Sequence, residues 1–377
     1  MNLKHLVATC ALAFSTATAA ADLNNWDSIE EAAQGQTVYF NAWGGSQEIN
    51  AYLRWAGDEL KDRYGVTLQH VKVSDIAETV NRLVAEKAAG KNEGGSVDMV
   101  WINGENFKSM KSNGLLYGPF AEQLPSWQIV DKSLPVSEDF TEPTNGLEAP
   151  WGVGQLVFIR DEAKLANPPH SFVELLSLAK ANPGKVAYPQ PPQFHGTSFL
   201  KAALLELATD TAPLYQPVDE AKFNQVTAPL WAYLDELHPV AWRNGKQFPA
   251  GSAETLQLLD DGELLLAITF NPNAAETAVK NGTLPPTAKA FAFDKGALSN
   301  IHFMAIPWNA NAKEGALVAI NFLMSEEAQA RKANSDYWGD PAVVKLSDSK
   351  PLFKSQPEPH PSWQVALEQE WLKRYGQ

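Results

Sequence analysis

Short apolar runs and helix-period stretches follow one another along the chain, and this alternation limits the fold more than any other feature. Thr37-Val-Tyr-Phe-Asn41 reads as a strand that runs into Trp43-Gly44-Gly45-Ser46. Ile49, Leu53, Ala56, Leu60 and Tyr64 then recur at spacings of three and four, with Gly65 closing the helix they predict. Val66 to Val73 reads as a second strand. Ser74 is placed to cap a helix whose apolar face is Ile76, Val80, Leu83 and Val84, ending at Gly90. Val97 to Ile102 is a third strand, followed at once by Asn103-Gly104-Glu105-Asn106 and another helix start. Strands joined through helices by short connections point to parallel βαβ units and an α/β sheet.

Beyond residue 135 the texture changes. A loop rich in Pro, Thr, Asn and Glu precedes Trp151 to Ile159, which reads as one strand with early glycines at 152 and 154. Pro183 to Pro192 leads into Gln193-Phe-His-Gly-Thr-Ser198, which opens a helix bearing Phe199, Ala203 and Leu207 on one face. Leu264 to Phe270, Phe291 to Phe293 and Ile301 to Ile306 are further strand candidates. The 377 residues are enough for about two domains, and 45% hydrophobic with 20% charged residues excludes wholesale disorder.

The N-terminus reads as an export signal. Lys4 and His5 precede an uncharged run from Leu6 to Phe14, and small residues lead to Ala19-Ala20-Ala21, an A-x-A pattern with cleavage expected near Ala21. The run is short for a membrane span, which needs about 20 apolar residues. The single cysteine, Cys10, lies inside it, so the mature chain is expected to begin near Asp22 without any thiol. Removing Lys4 leaves 29 basic against 44 acidic residues, a net charge of −15. That balance argues against nucleic acid and anionic lipid as partners.

Catalytic signatures are missing. There is no G-x-S-x-G, no H-E-x-x-H and no phosphate-binding loop ending in Lys-Ser/Thr. Gly152-Val-Gly154 fails the dinucleotide pattern because Val157 stands where a third glycine belongs. The histidines are scattered singly, so no structural metal is expected. Carboxylates are numerous enough for a glycosidase-like pair, but no pair stands out. The turns after strands are the better candidates, since strand ends line ligand crevices in open α/β sheets and helix starts present free N–H groups. They are Trp43-Gly44-Gly45-Ser46, Asn103 to Asn106 and His195-Gly196-Thr197-Ser198; each also reads as plain capping. Twelve tryptophans add aromatic faces, among them Trp43, Trp151, Trp308 and Trp338, which suit sugars, heterocycles or cations.

Asn311 to Gln329 (NAKEGALVAINFLMSEEAQ) resembles the helix pair typical of family 1 extracellular solute-binding proteins of ABC transporters. Val97-Asp-Met-Val-Trp101 resembles the family's third strand, and Ala149-Pro-Trp-Gly-Val153 its crossover strand. Phe40 to Gly45 and Tyr337-Trp-Gly-Asp-Pro341 make the whole mature chain look most like the YnjB-type binding proteins of that family. The resemblance implies a periplasmic-binding-protein-like fold of type II, with two α/β lobes around a cleft. Lobe one would hold 22–152 and 291–335; lobe two would hold 153–290 and 336–377. It implies a periplasmic monomer that is not an enzyme, needs no cofactor and delivers a small solute to an inner-membrane permease. Ligand drives closure only through differential affinity for the closed form, so both lobes must contribute contacts. Trp43, Gly45, Ser46, Glu105 and Asn106 are expected from lobe one. His195, Thr197, Ser198, Asn271 and Asn273 are expected from lobe two, with Trp151 near the hinge. An aromatic, acidic lining would suit a cationic heterocycle such as thiamine, or a polyamine. Sugars and inorganic anions remain open, and ferric iron is disfavoured for want of paired tyrosines. The alternative class is a secreted carbohydrate-active enzyme or sugar-binding protein, supported by the tryptophan count.

Overall fold

The computed structural model describes residues 23–376; the export signal read in residues 1–21, its cleavage near Ala21 and Cys10 fall outside them. Helix α1 (Trp26–Ala33) leads into β1 (Thr37–Trp43), α2 (Gln47–Tyr64), β2 (Thr67–Val73), α3 (Ala77–Ala88), β3 (Met99–Ile102) and α4 (Gly104–Ser112). Strand β1 pairs parallel with both β2 and β3, as the alternation implied. Ser46 caps α2 by accepting the Ile49 N–H, and Gly65 ends it at a left-handed φ of 67°. Ser74 does not cap α3. The helix starts later than expected, and the Asp75 side chain, closer to the helix, accepts the Ala77 N–H at 2.9 Å.

A hairpin of β4 (Glu138–Asp139) and β5 (Glu142–Pro143) precedes β6 (Glu148–Gln155) and β7 (Val157–Asp161). The chain continues through α5 (Phe172–Ala181), α6 (Phe194–Leu207), α7 (Glu220–Leu237), α8 (Ser252–Asp260), β8 (Leu266–Thr269), α9 (Ala274–Lys280) and β9 (Ala288–Phe291). It ends with β10 (Ala297–Ala305), α10 (Lys313–Leu323), α11 (Glu326–Ala333), β11 (Ser355–Pro357) and α12 (Pro361–Tyr375).

Two sheets result. The larger has the order β11-β10-β3-β1-β2, with β6 also on β10; the smaller is β8-β7-β9. Parallel pairing does not extend through both: β10 is antiparallel to β3 and β6, and the smaller sheet is antiparallel throughout. The single strand read over 151–159 is two strands in different sheets. At the junction the Gln155 N–H donates to Phe270 O and the Leu156 N–H to Leu298 O, so the chain changes partners between β6 and β7.

The cores divide the same way. Phe40, Leu53, Trp151, Phe303, Leu317 and Phe322 belong to one large cluster; Leu156, Phe199, Leu234, Trp363 and Trp371 belong to another. Val153 and Ile301 sit in the first and Leu156 and Leu298 in the second, so β6–β7 and β10 cross between the cores side by side. Trp338, Val343 and Val344 pack in the first cluster, although 336–377 was expected in the second lobe; α12 packs in the second.

The helix pair owes its place to local chemistry. Asp98, fully enclosed, accepts the Asn311 and Ala312 N–H groups ahead of α10 and the Tyr39 N–H of β1. Leu317, Ile320, Phe322 and Leu323 dock α10, while Ser325 accepts the Ala328 N–H to cap α11 behind Glu326 and Glu327.

Candidate ligand-binding cleft

A cavity of about 640 Å³ lies where the ends of β1 and β3 face the second core. Trp43 from the end of β1, the α2 cap Ser46, Asp75, Trp101 and the first turn of α4 line one side. Phe194 and His195 at the start of α6, Phe270 and Asn271 after β8, and Glu368 of α12 line the other. The volume falls within the range of small-molecule sites.

Its charge is one-sided. Glu48, Asp75, Glu105, Asp340 and Glu368 line the cavity, and no Lys or Arg does so among the described residues. Burial pushes the Glu105 carboxyl up to about 8, against the pull of Lys201. Burial likewise lifts Glu368 to about 7, partly offset by the Thr197 hydroxyl that donates to it at 2.8 Å. His195 is driven down to about 4 by burial and is neutral at pH 7. Its backbone N–H is held by the side chain of Gln193, the cap of α6.

Asp340 behaves differently. Burial would raise its carboxyl, but the Lys332 ammonium and His302 beside it hold it below the ordinary aspartate value. Both partners meet the same oxygen: Lys332 Nζ donates to Oδ2, and His302 Nε2 lies 3.0 Å from it. Fully buried Lys332 is fixed further by Pro341 O at 3.0 Å. The rings of Trp101 and Trp338, both lining the cavity, meet edge to face with centroids 5.7 Å apart. Each also lies near His302, at 5.1 and 6.2 Å between centroids. Glycines 152 and 154 leave the space for this wall. A Cβ on Gly152 would overlap Asp340 Oδ2 and His302 Nε2, and one on Gly154 would press on the Phe270 ring.

The family model for bacterial extracellular solute-binding proteins matches residues 55–361, most of the chain. This chain belongs to the bacterial extracellular solute-binding proteins. Protein YnjB of Escherichia coli (strain K12) is 48% identical over 376 residues, covering 96% of each chain. Among solved structures, a periplasmic thiamin binding protein is similar at a TM-score of 0.64 and 18% identity, covering 90% of this chain and 95% of its own. The spermidine/putrescine ABC transporter substrate-binding protein PotD of Streptococcus pneumoniae is similar at 0.59 and 14%, covering 82% and 83%. The two-lobed type II fold and the role of solute-binding protein for an ABC transporter stand as the resemblance implied. Among the described residues no helix is long and apolar enough to cross a membrane, and no three His, Cys, Asp or Glu are grouped to hold a metal.

Seven of the eleven residues singled out in the sequence line the cavity: Trp43, Gly45, Ser46, Glu105, Asn106, His195 and Asn271. Trp151 does not. It is wholly enclosed behind the wall, with its ring 5.0 Å from Trp101 and 5.2 Å from Trp338. Thr197 and Ser198 are buried in α6, where Thr197 acts on the site only through Glu368. Asn273 is turned away because its Nδ2 donates to Gly339 O at 2.8 Å, and the Asn271 side chain similarly donates to Trp338 O at 3.1 Å. Sequence reading missed Asp75, Trp101, Phe194, Phe270, His302, Asp340 and Glu368. Trp101 and Asp340 lie inside the motifs that carry the family resemblance, where they mark the fold rather than a ligand contact. Glu368 sits in a C-terminal helix that carries no local binding signature.

Proposed function

We propose that the chain is the periplasmic, non-enzymatic capture component of an ABC importer, and that its cargo is an organic cation. The observation that carries this reading is a cavity lined by five acidic side chains and, among the described residues, no Lys or Arg, with Trp43, Trp101, Trp338, Phe194 and Phe270 among its walls. A cation gains from carboxylates and from aromatic faces together, and both gains grow when water is excluded. An inorganic anion or a phosphorylated sugar would meet repulsion here. A cationic heterocycle such as thiamine, or a linear polyamine, meets the chemistry of the walls, and a monomer delivering to an inner-membrane permease fits the family role.

Titration calorimetry with thiamine, spermidine, a neutral disaccharide and phosphate tests the reading. Binding of either cation without its consumption, and none of the sugar or phosphate, is the expected result. Tight binding of the neutral or anionic ligands alone would overturn it.

A further inference from the structure

Among the five lining carboxylates, only one has its place fixed from behind by a buried ammonium. Asp340 directs Oδ2 to Lys332 and His302, and no described hydrogen bond engages Oδ1, although the residue lines the cavity. Lys332 is itself immobilised by Pro341 O and by the Asp340 carbonyl at 3.3 Å, and its ammonium lies 5.4 Å from the Trp338 ring centroid. The other carboxylates are committed elsewhere or movable. Glu48 accepts from Ser46 and Asn281, Glu105 from Asn106, and Glu368 from Thr197. Asp75 is tied to the start of α3.

We propose that Asp340 is the anchor for the cationic group of the ligand, beside the contacting rings of Trp101 and Trp338, with Lys332 as the residue that positions it. The proposal rests on the cationic-cargo reading and adds which carboxylate selects for charge. Lys332 orders the carboxylate and takes one oxygen, leaving the second to face the cavity in a single orientation. A preset anion needs no rearrangement when the ligand arrives. Glu105 and Glu368 then act as a second, proton-regulated layer, since they hold protons near neutral pH and lose them when a cation enters.

Replacing Asp340 alone would strand a buried ammonium, so the pair is removed together as K332M/D340N, and Asp340→Glu serves as the variant that keeps the ion pair. Thermal melts of the ligand-free proteins establish folding, and calorimetry with thiamine and spermidine reads affinity. The wild type is expected to bind one of them, K332M/D340N to lose about 100-fold, and Asp340→Glu about tenfold. A second readout separates an anchor from a structural support. E105Q/E368Q is expected to bind with a weaker pH dependence than the wild type between about pH 5 and 8, because the two raised carboxyls are gone and Asp340 stays ionised, with His302 the titratable group left on its Oδ2. Affinity in K332M/D340N within threefold of the wild type, or a loss in Asp340→Glu as large as in K332M/D340N, would overturn the anchor while leaving the cationic cargo standing. A wild type that binds neither cation would overturn both.

Discussion

A methyl group at position 152 would occupy space now held by Asp340 Oδ2 and His302 Nε2, neither of which has room to retreat. Asp340 is pinned by Lys332, and His302 is hemmed in by Trp101, Trp151 and Trp338. Gly152→Ala is therefore expected to cost about 1–3 kcal/mol in chemical denaturation and to weaken cation binding, the signature of an overpacked wall. An unchanged denaturation midpoint would mean the wall yields more easily than its contacts indicate. The carboxyls give a second residue-level expectation, with opposite trends in two measurements. Glu105 and Glu368 are raised to about 8 and about 7, above their unfolded values, so the folded protein holds extra protons. Their contribution to stability is full below about pH 4 and is lost as pH rises through their folded values. Bound cation lowers the same pKa values, so protons leave on binding and affinity rises with pH over that window. Melting temperature of the ligand-free protein should fall from pH 5 to pH 9 while the dissociation constant tightens, and Glu105→Gln should flatten both. Parallel trends would contradict the assignment.

At the level of elements, what could be read in the sequence is what local chemistry fixes. The α2 cap at Ser46, its end at Gly65, the α11 cap at Ser325 and the parallel β1–β3 core all follow from periodicity and capping. What could not be read depends on contacts far along the chain. The Val157–Asp161 stretch looks like a continuation of β6 because nothing local marks the change of partner at Leu156. Asp340 becomes a site residue only when it meets His302, 38 positions away. Helix α12 is the extreme case, since its polar residues Gln364 and Glu368 face the cavity while Trp363, Leu367 and Trp371 fill the second core. Trp371 is fully buried and donates its indole N–H to Tyr188 Oη at 2.8 Å, itself stacked on Phe199. Trp371→Ala should cost about 3–5 kcal/mol of stability, chiefly by lost burial and the cavity left behind, since the Tyr188 hydroxyl keeps its partner His238 Nε2 at 2.7 Å. Equilibrium unfolding followed by far-ultraviolet dichroism reads this. A loss under about 1 kcal/mol would show that α12 is an appendage rather than a wall of the second core.

The two largest cores of the molecule are joined by adjacent crossings, and the cavity opens between them, so ligand affinity and lobe arrangement must be coupled. Polar contacts bridge the cleft at several places in this arrangement. Asn281 donates to Glu48 at 3.1 Å, Lys108 lies 2.9 Å from His360 Nε2, and Lys280 pairs with Asp336 at 2.8 Å. Asn273 is the most telling, because it holds the carbonyl of Gly339, next to Asp340, without lining the cavity itself. Gly339 has a positive φ of 78° and a hypothetical Cβ there would lie 2.7 Å from Thr277 Oγ1, so the turn and α9 meet closely. If the ligand is gripped only when the lobes meet this way, apparent affinity scales with the population of that arrangement. Removing one bridging hydrogen bond costs about 1 kcal/mol, several-fold in that population. Asn273→Ala should therefore weaken cation binding several-fold with every lining side chain intact. Its radius of gyration in solution scattering should also stay larger than the wild type's at matched, subsaturating ligand and converge at saturation. Equal affinities with equal scattering would mean that this contact persists whether or not the cleft is occupied, and that closure is governed from the cavity alone.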